Sequence, residues 1–380
     1  YLAVAVLGGM VTLMGLFFLQ HDAGTLSFEG LRVYARENGP EKLYLPGILV
    51  FFGFAAKAGV FPLHIWLPKA HPVAPAPASA LLSGILTKSG IFGILVVSCN
   101  LFYGDRTWGN LMLILGVITM VLGAVLALLS IDLKRTLACS SMSQIGFILT
   151  GTAMLSLLGG EGALAGRGIL LHMLNHSLIK LDLFMCAGAV FMKLETLNLN
   201  ELRGYGRKKP LLMLCFLMGA LGIGGIPLWN GYVSKTLLHE SILEAAELAV
   251  GQGHAFALLK TLEWIFLISG GITVCYMTKL FVCLFVDRNP VRQQEYDAMH
   301  DYMTARSAAA IAGSALILPL LGFFPGRFMD AAADLGTDFF RISLPAHPVA
   351  YFSPENLKGG AISISIGALL YLLVVRRFLM

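Results

Sequence analysis

The sequence predicts an all-α polytopic membrane protein of about ten transmembrane helices, and three observations predict it. Hydrophobic residues make up 57% of the 380-residue chain and charged residues only 13%, with a mean hydropathy of +0.77, whereas a soluble domain carries about 25% charged residues. Apolar stretches near the roughly 20 residues that a helix needs to cross a bilayer recur from one end of the chain to the other. These stretches are long and continuous, which excludes a β-barrel assembled from short alternating segments.

In order, the stretches fall at 2–19, 46–68, 78–102, 109–131, 135–158, 166–192, 210–238, 261–286, 306–325 and 359–376. The first begins at Tyr1-Leu-Ala-Val with no initiator Met and no signal-peptide pattern, so the chain reads as a fragment. The second and the seventh are interrupted. Pro62 sits mid-stretch in Lys57-Ala-Gly-Val-Phe-Pro62-Leu-His64-Ile-Trp66-Leu-Pro68, and Pro227 sits among glycines in Gly222-Ile-Gly-Gly225-Ile-Pro227-Leu-Trp229. Proline removes a backbone donor and clashes with the preceding turn. Such backbone is tolerated at membrane depth only where it is buried in protein or lines a wet cavity. Matched interruptions in two halves of a chain point to inverted repeats with a site at each break.

Ionisable residues inside these stretches are the strongest functional signal. His172, His176 and Lys180 are spaced four apart and form one stripe on a helix. Each such group costs about 2.5–3.5 kcal/mol on insertion scales, and the default reading is a proton or ion path facing protein or water. Lys57, Lys88 and Lys235 also lie inside stretches. Snorkelling explains a lysine near a helix end but not Lys57, Lys88 or Lys180, each near the middle of its span. Burial disfavours the charged form of an amine, so a neighbouring charge can tip it between states. A structural ion pair with an unseen acid is the competing explanation. His64 and His71 follow the first break; His71 reads as a satisfied polar group. His239, His254, His300 and His347 carry no specific signal. Asp182 lies two residues after Lys180, about 200° away on a helix, and so is expected to meet a different element.

The six cysteines, Cys99, Cys139, Cys186, Cys215, Cys275 and Cys283, form no Cys-x-x-Cys pair and read as packing residues. The chain has no iron–sulfur or zinc ligand run and no Gly-rich nucleotide loop. It therefore carries no cofactor signature, and redox chemistry falls to a partner. The net charge of +5 reads as topology, not as a nucleic-acid footprint. One set of alternate loops holds Lys69, Lys134, Arg135, Lys193, Arg203, Arg207, Lys208, Lys209, Arg288, Arg292 and Arg306, and the other holds Arg32, Arg36, Lys42, Arg106, Arg167 and Lys260. The positive-inside rule assigns the larger set to the cytoplasm.

Phe54-Ala-Ala-Lys57-Ala-Gly-Val-Phe-Pro62-Leu-His-Ile-Trp66-Leu-Pro68-Lys-Ala-His71 and Asp132-Leu-Lys134-Arg135-Thr-Leu-Ala-Cys-Ser-Ser-Met142-Ser-Gln144-Ile-Gly146 resemble the hallmarks of antiporter-like proton-translocating membrane subunits. That family includes the L, M and N subunits of NADH-quinone oxidoreductase (complex I) and the Mrp cation/proton antiporters. Leu174-Asn-His-Ser-Leu-Ile-Lys180, Leu202–Pro210 and Pro227–Glu240 look most like its hydrogenase-4 and formate hydrogenlyase branch. The resemblance covers about residues 1–290. It implies inverted five-helix repeats with two broken helices: 1–102 as an incomplete first repeat, 103–290 as the second, and 291–380 as C-terminal helices with a connecting segment, of which 326–358 reads as a loop.

The resemblance also implies roles. Lys57 would be switched by an acidic partner on a helix outside this fragment, Lys88 would be the next relay site, and His172, His176 and Lys180 would form the central relay. Lys235, on the second broken helix, would connect to the outside. Asp182 stands where the family usually has an apolar residue. The implied partners are other membrane subunits and a peripheral redox arm, with protons or Na⁺ as the ion. Two alternatives stand beside a subunit of a redox complex: an Mrp-type antiporter subunit, and a membrane anchor with a vestigial path.

Overall fold

The computed structural model describes residues 1–251, 256–345 and 348–379; His254 and His347 lie outside them. The described residues hold α-helices and a single isolated bridge, Asp132 to Asn198, with no strand. The helices are α1 (Leu2–Ala23), α2 (Phe28–Asn38), α3 (Tyr44–Ala58), α4 (Trp66–Val73), α5 (Ala76–Leu81), α6 (Thr87–Asn100), α7 (Arg106–Leu129), α8 (Leu133–Leu158) and α9 (Ala163–Leu194). They continue as α10 (Leu199–Leu202), α11 (Pro210–Gly224), α12 (Asn230–Gly251), α13 (Phe256–Phe281), α14 (Gln293–Ala298), α15 (Ala305–Phe323), α16 (Pro325–Asp334), α17 (Thr337–Phe340) and α18 (Pro354–Leu370).

Helix starts follow capping chemistry, in which a side-chain oxygen satisfies an orphan N–H. Asp105 accepts from Trp108 N at 2.6 Å to open α7, and Asp132 accepts from Arg135 N at 2.7 Å to open α8. Ser27, Thr304 and Ser353 cap α2, α15 and α18 in the same way.

Among the described residues, seven segments are long and apolar enough to cross a membrane: 2–23, 76–100, 106–129, 133–161, 257–286, 305–323 and 354–378. They match seven of the ten expected stretches. The other three, 46–68, 166–192 and 210–238, are the broken or polar ones. The first divides into α3 and α4, and the third into α11 and α12. The second is the single helix α9, whose 32 residues include Arg167, Lys180, Asp182 and Lys193.

Burial orders these segments. The apolar window of α8 is 89% buried and that of α1 only 17%, so α8 is interior and α1 peripheral. Glycine sets the α7–α8 contact. A Cβ on Gly146 would lie 2.2 Å from Met120 N, and one on Gly123 2.4 Å from Ser143 N, so only glycine lets these backbones approach so closely.

Both breaks end a 15-residue half-helix at a left-handed glycine, Gly59 (φ 80°) after α3 and Gly225 (φ 73°) after α11. Glycine adopts this conformation without steric cost. After Gly59 the chain passes through a cis Phe61–Pro62 peptide. Trp66 Nε1 donates to Ala56 O at 2.8 Å, closing one open carbonyl of α3.

The segment 326–358 is not the plain loop expected from its mixed polarity. It includes most of α16, all of α17 and the start of α18. Asp330 and Asp334 of α16 both pair with Arg167 of α9, which is 4% exposed. A buried guanidinium requires acceptors, and α16 supplies them.

Candidate functional site

The stripe on α9 lies where α6, α8 and α12 converge. Its three members are buried: His172 at 3%, His176 at 2% and Lys180 at 0% exposed. Before α6 the chain makes one π-helical turn, Leu82–Leu86, a distortion that leaves carbonyls open and recurs at functional sites. Lys88 Nζ donates to one of them, Ser83 O, at 2.6 Å. The same ammonium nitrogen contacts His176 Nδ1 directly. The His176 and His172 rings stack with centroids 6.4 Å apart. His172 in turn pairs through Nδ1 with Ser234 Oγ at 2.9 Å and through Nε2 with Gln144 Oε1 at 3.1 Å. Ser234 precedes Lys235 on α12. The structure thus brings Lys88, His176, His172 and the Lys235 turn into one run.

Lys235 serves the second break. Its Nζ donates to Ile223 O at 2.8 Å, at the open carbonyl end of α11, where the helix dipole favours a cation. Phe147 lies under the ammonium, 5.2 Å from it. Asn175 and Asn230 lock the same corner: each side-chain amide donates to the other residue, Asn175 to Asn230 O at 2.8 Å and Asn230 to Asn175 Oδ1 at 3.2 Å.

Lys180 stands apart from this run. It turns toward the start of α8, donating to Leu137 O at 2.8 Å and contacting Ser140 Oγ. Lys57 departs from expectation altogether, because its side chain is exposed. It sits one residue before the end of α3 and lines a cleft of about 390 Å³ with Tyr1, Ala5, Thr12 and Trp66. Its mid-stretch position predicts burial, but α3 ends at Ala58 and leaves that face uncovered within the described chain. Pro62 is exposed and Pro227 half-buried; each lies just past the glycine that ends a half-helix.

Several residues carry more than the sequence indicates. His71 is fully buried and stacks on Phe184 at 4.7 Å, and neither ring nitrogen has a hydrogen-bond partner; it is not the satisfied polar group expected. Lys134 and Lys209, read as loop charges that set orientation, are 1% and 0% exposed. Lys134 donates to Ala74 O at 2.9 Å, and Lys209 to Tyr205 O at 2.9 Å and Tyr296 O at 3.0 Å. Lys279, near the end of α13, went unmarked in the sequence because its position allows snorkelling. It is 4% exposed and donates to Leu128 O at 2.6 Å and Ser130 O at 2.7 Å, at the end of α7.

Asp182 meets α11, as its angle from Lys180 requires of a different element. A Cβ on Gly219 would lie 2.5 Å from its Oδ2, and that oxygen has no hydrogen-bond partner. The cysteines are all buried and free. No cluster of three or more His, Cys, Asp or Glu suited to a metal occurs among the described residues.

Residues 1–253 match the family model described as "NADH:quinone oxidoreductase/Mrp antiporter, TM". Hydrogenase-4 component B of Escherichia coli is 34% identical over 298 residues, covering 75% of this chain and 43% of the relative. Formate hydrogenlyase subunit 3 of the same organism is 30% identical, covering 82% and 52%. A Na(+)/H(+) antiporter subunit of Alkalihalophilus pseudofirmus is 30% identical, covering 85% and 40%. The chain thus spans about half, or less, of the length of these relatives. Among solved structures, the Mrp complex from Dietzia sp. superposes on 96% of this chain with a TM-score of 0.76 at 21% identity. The membrane-bound sulfane sulfur reductase superposes on 96% of the chain with a TM-score of 0.75 at 22% identity. Both share the fold.

Proposed function

The chain belongs to the NADH:quinone oxidoreductase/Mrp antiporter transmembrane family, and on that premise we propose that it is a proton-translocating membrane subunit of a redox complex. The assembly would be of nickel-iron hydrogenase, formate hydrogenlyase or complex I type. Protons would move along the buried Lys/His row, coupled to redox chemistry in a peripheral arm. The observation that carries this reading is the run from Lys88 through His176 and His172 to the Ser234–Lys235 turn.

The row has no carboxylate of its own, so its protons interact chiefly with one another. Two positive charges 6.4 Å apart, the spacing of the His172 and His176 rings, repel by about 3 kcal/mol at an effective dielectric of about 20. Double protonation of the pair is then disfavoured by roughly a hundredfold, and a proton arriving at His176 displaces one from His172. Lys180, on the α8 side, would load the row. Lys57 would sense the charge of a neighbouring subunit from its exposed cleft. In this reading the Lys134–Arg135 and Arg207–Lys209 ends face the cytoplasm and the protein resides in the cytoplasmic membrane.

A second reading, an Mrp-type cation/proton antiporter subunit, is favoured by one observation. The Na(+)/H(+) antiporter relative aligns with 85% of this chain, against 75% for hydrogenase-4 component B. One experiment tests both readings. The complete gene product is placed in its complex in sealed vesicles, the redox reaction is driven, and the pH gradient is followed for wild type and Lys180→Ala with and without Na⁺. Loss of the gradient with turnover retained is expected. A persisting gradient overturns the relay, and a gradient that requires Na⁺ moves the protein to the antiporter reading.

A further inference from the structure

We propose that His239 and Glu263 carry the proton from Lys235 to the face of the molecule opposite the Arg207–Lys209 loop; the assignment rests on the proton-path reading above. Lys235 and His239 are one turn apart on α12 and line the same cavity, with Phe147, Tyr232, Asn356 and Gly359 as other walls. The cavity has about 40 Å³ of room. A single water needs about 10–15 Å³ of such space, so one or a few waters fit between the two bases.

The position of His239 along the path follows from helix direction. α11 starts beside Lys209 and ends at the break, and α12 continues away from it. His239 is therefore farther from the Arg207–Lys209 loop than Lys235 is. Glu263 lies near the start of α13, which follows α12 on that far side. α18 runs parallel to α13 here: Gly359 is beside Leu267, and Gly367 is beside Gly271.

The local chemistry suits transfer. A packing histidine satisfies its ring nitrogens, yet His239 Nε2 is buried without a hydrogen bond. It stands 3.5 Å from Glu263 Oε1, a gap that a small rotamer change closes. Nδ1 lies on the side of Gly359, a wall of the cavity. Glu263 is held by Lys260, Nζ to Oε2 at 2.5 Å, and the Lys260 side chain is 46% exposed. The charged and titratable groups around His239 are thus Lys235 on one side and Glu263 with Lys260 on the other. Glu240, the next residue on α12, accepts from Asn356 Nδ2 at 2.5 Å.

The proton count closes. The N–H bond of protonated Lys235 breaks and its proton passes through water to His239 Nδ1. The proton on Nε2 leaves for Glu263 Oε1, and bulk water takes it from the carboxyl group. One proton crosses and Glu263 returns to its carboxylate. Lys235 is left neutral until the row reprotonates it. His239 is left as the Nδ1–H tautomer, which returns to Nε2–H by exchange with the cavity water before the next proton.

The test uses the intact complex in sealed vesicles at constant redox turnover, comparing His239→Ala, His239→Gln, Glu263→Gln and Lys180→Ala. The expected result is a fall of about tenfold or more in gradient formation for both His239 variants, within the range that one acid–base group contributes, and a fall for Glu263→Gln. Imidazole added on the opposite face should restore His239→Ala severalfold, which a merely structural role would not allow. Lys180→Ala separates the two claims. If it leaves the gradient intact, the proton-path reading fails and the exit fails with it. If it abolishes the gradient while His239→Ala and Glu263→Gln pump at the wild-type rate from pH 5 to 9, only the exit is overturned. Loss in His239→Ala without imidazole rescue, alongside normal pumping by Glu263→Gln, also overturns it.

Discussion

Asp330→Asn isolates the contact that docks α16 onto the core. Arg167 is 4% exposed; its Nη2 lies 2.7 Å from Asp330 Oδ1, and its Nη1 contacts Asp334. Tyr351 Oη also donates to Asp330 Oδ1, at 2.5 Å. The gross attraction at 2.7 Å is about 6 kcal/mol at an effective dielectric of about 20, and desolvation offsets much of it. Breaking a fully buried pair costs about 3–5 kcal/mol. Here Asp330 is 23% exposed and Asp334 remains, so the expected loss is about 2 kcal/mol, below that range because water screens the acid. Asp334 is 47% exposed, and Asp334→Asn should cost under about 1 kcal/mol. The assay is thermal unfolding in detergent, read together with protease cleavage between Arg341 and Ser353. Asp330→Asn should melt earlier and be cut faster, and the Arg167→Ala/Asp330→Ala cycle should show coupling above about 1 kcal/mol. Equal effects of the two Asn variants, or coupling near zero, would refute the reasoning.

Two further predictions follow from close contacts. Gly146→Ala places a methyl 2.2 Å from Met120 N and should cost about 1–3 kcal/mol by overpacking, seen as a lower Tm with unchanged helicity; wild-type stability would show that α7 and α8 are not held so close. Lys209→Ala removes the donor shared by Tyr205 O and Tyr296 O and should cost about 1.5–3 kcal/mol. Lys208→Ala, whose side chain is 62% exposed, should change stability by less than about 0.5 kcal/mol. Similar melting temperatures for the two would rule out the clamp.

What the sequence disclosed, and what it withheld, divides by range. The His172, His176 and Lys180 stripe is visible because four-residue spacing maps onto one helix face, and the breaks are visible because proline and glycine act locally. Lys57 is at mid-stretch by count, yet its exposure depends on which helices surround α3, and spacing holds no such information. Lys134 and Lys209 sit next to spans, where loop charges and buried donors look alike until the accepting carbonyls of Ala74, Tyr205 and Tyr296 are in place. Arg167 and its acids are more than 160 residues apart, so α16 had no local signal beyond mixed polarity. His239 looked unremarkable because Glu263 reaches it only after α12 and α13 pack.

The six buried lysines, Lys88, Lys134, Lys180, Lys209, Lys235 and Lys279, all donate to backbone carbonyls, and none pairs with a carboxylate among the described residues. A carboxylate that loses its ammonium partner is left as a bare anion, whereas a carbonyl is only a dipole. Each of these positions can therefore be vacated without stranding a counter-charge. In the proposed path the stations of the row would then be either filled or empty, coupled by repulsion between filled neighbours. On that proposal, a change of charge at one end would reach the other as a pattern of vacancies, with no helix required to move.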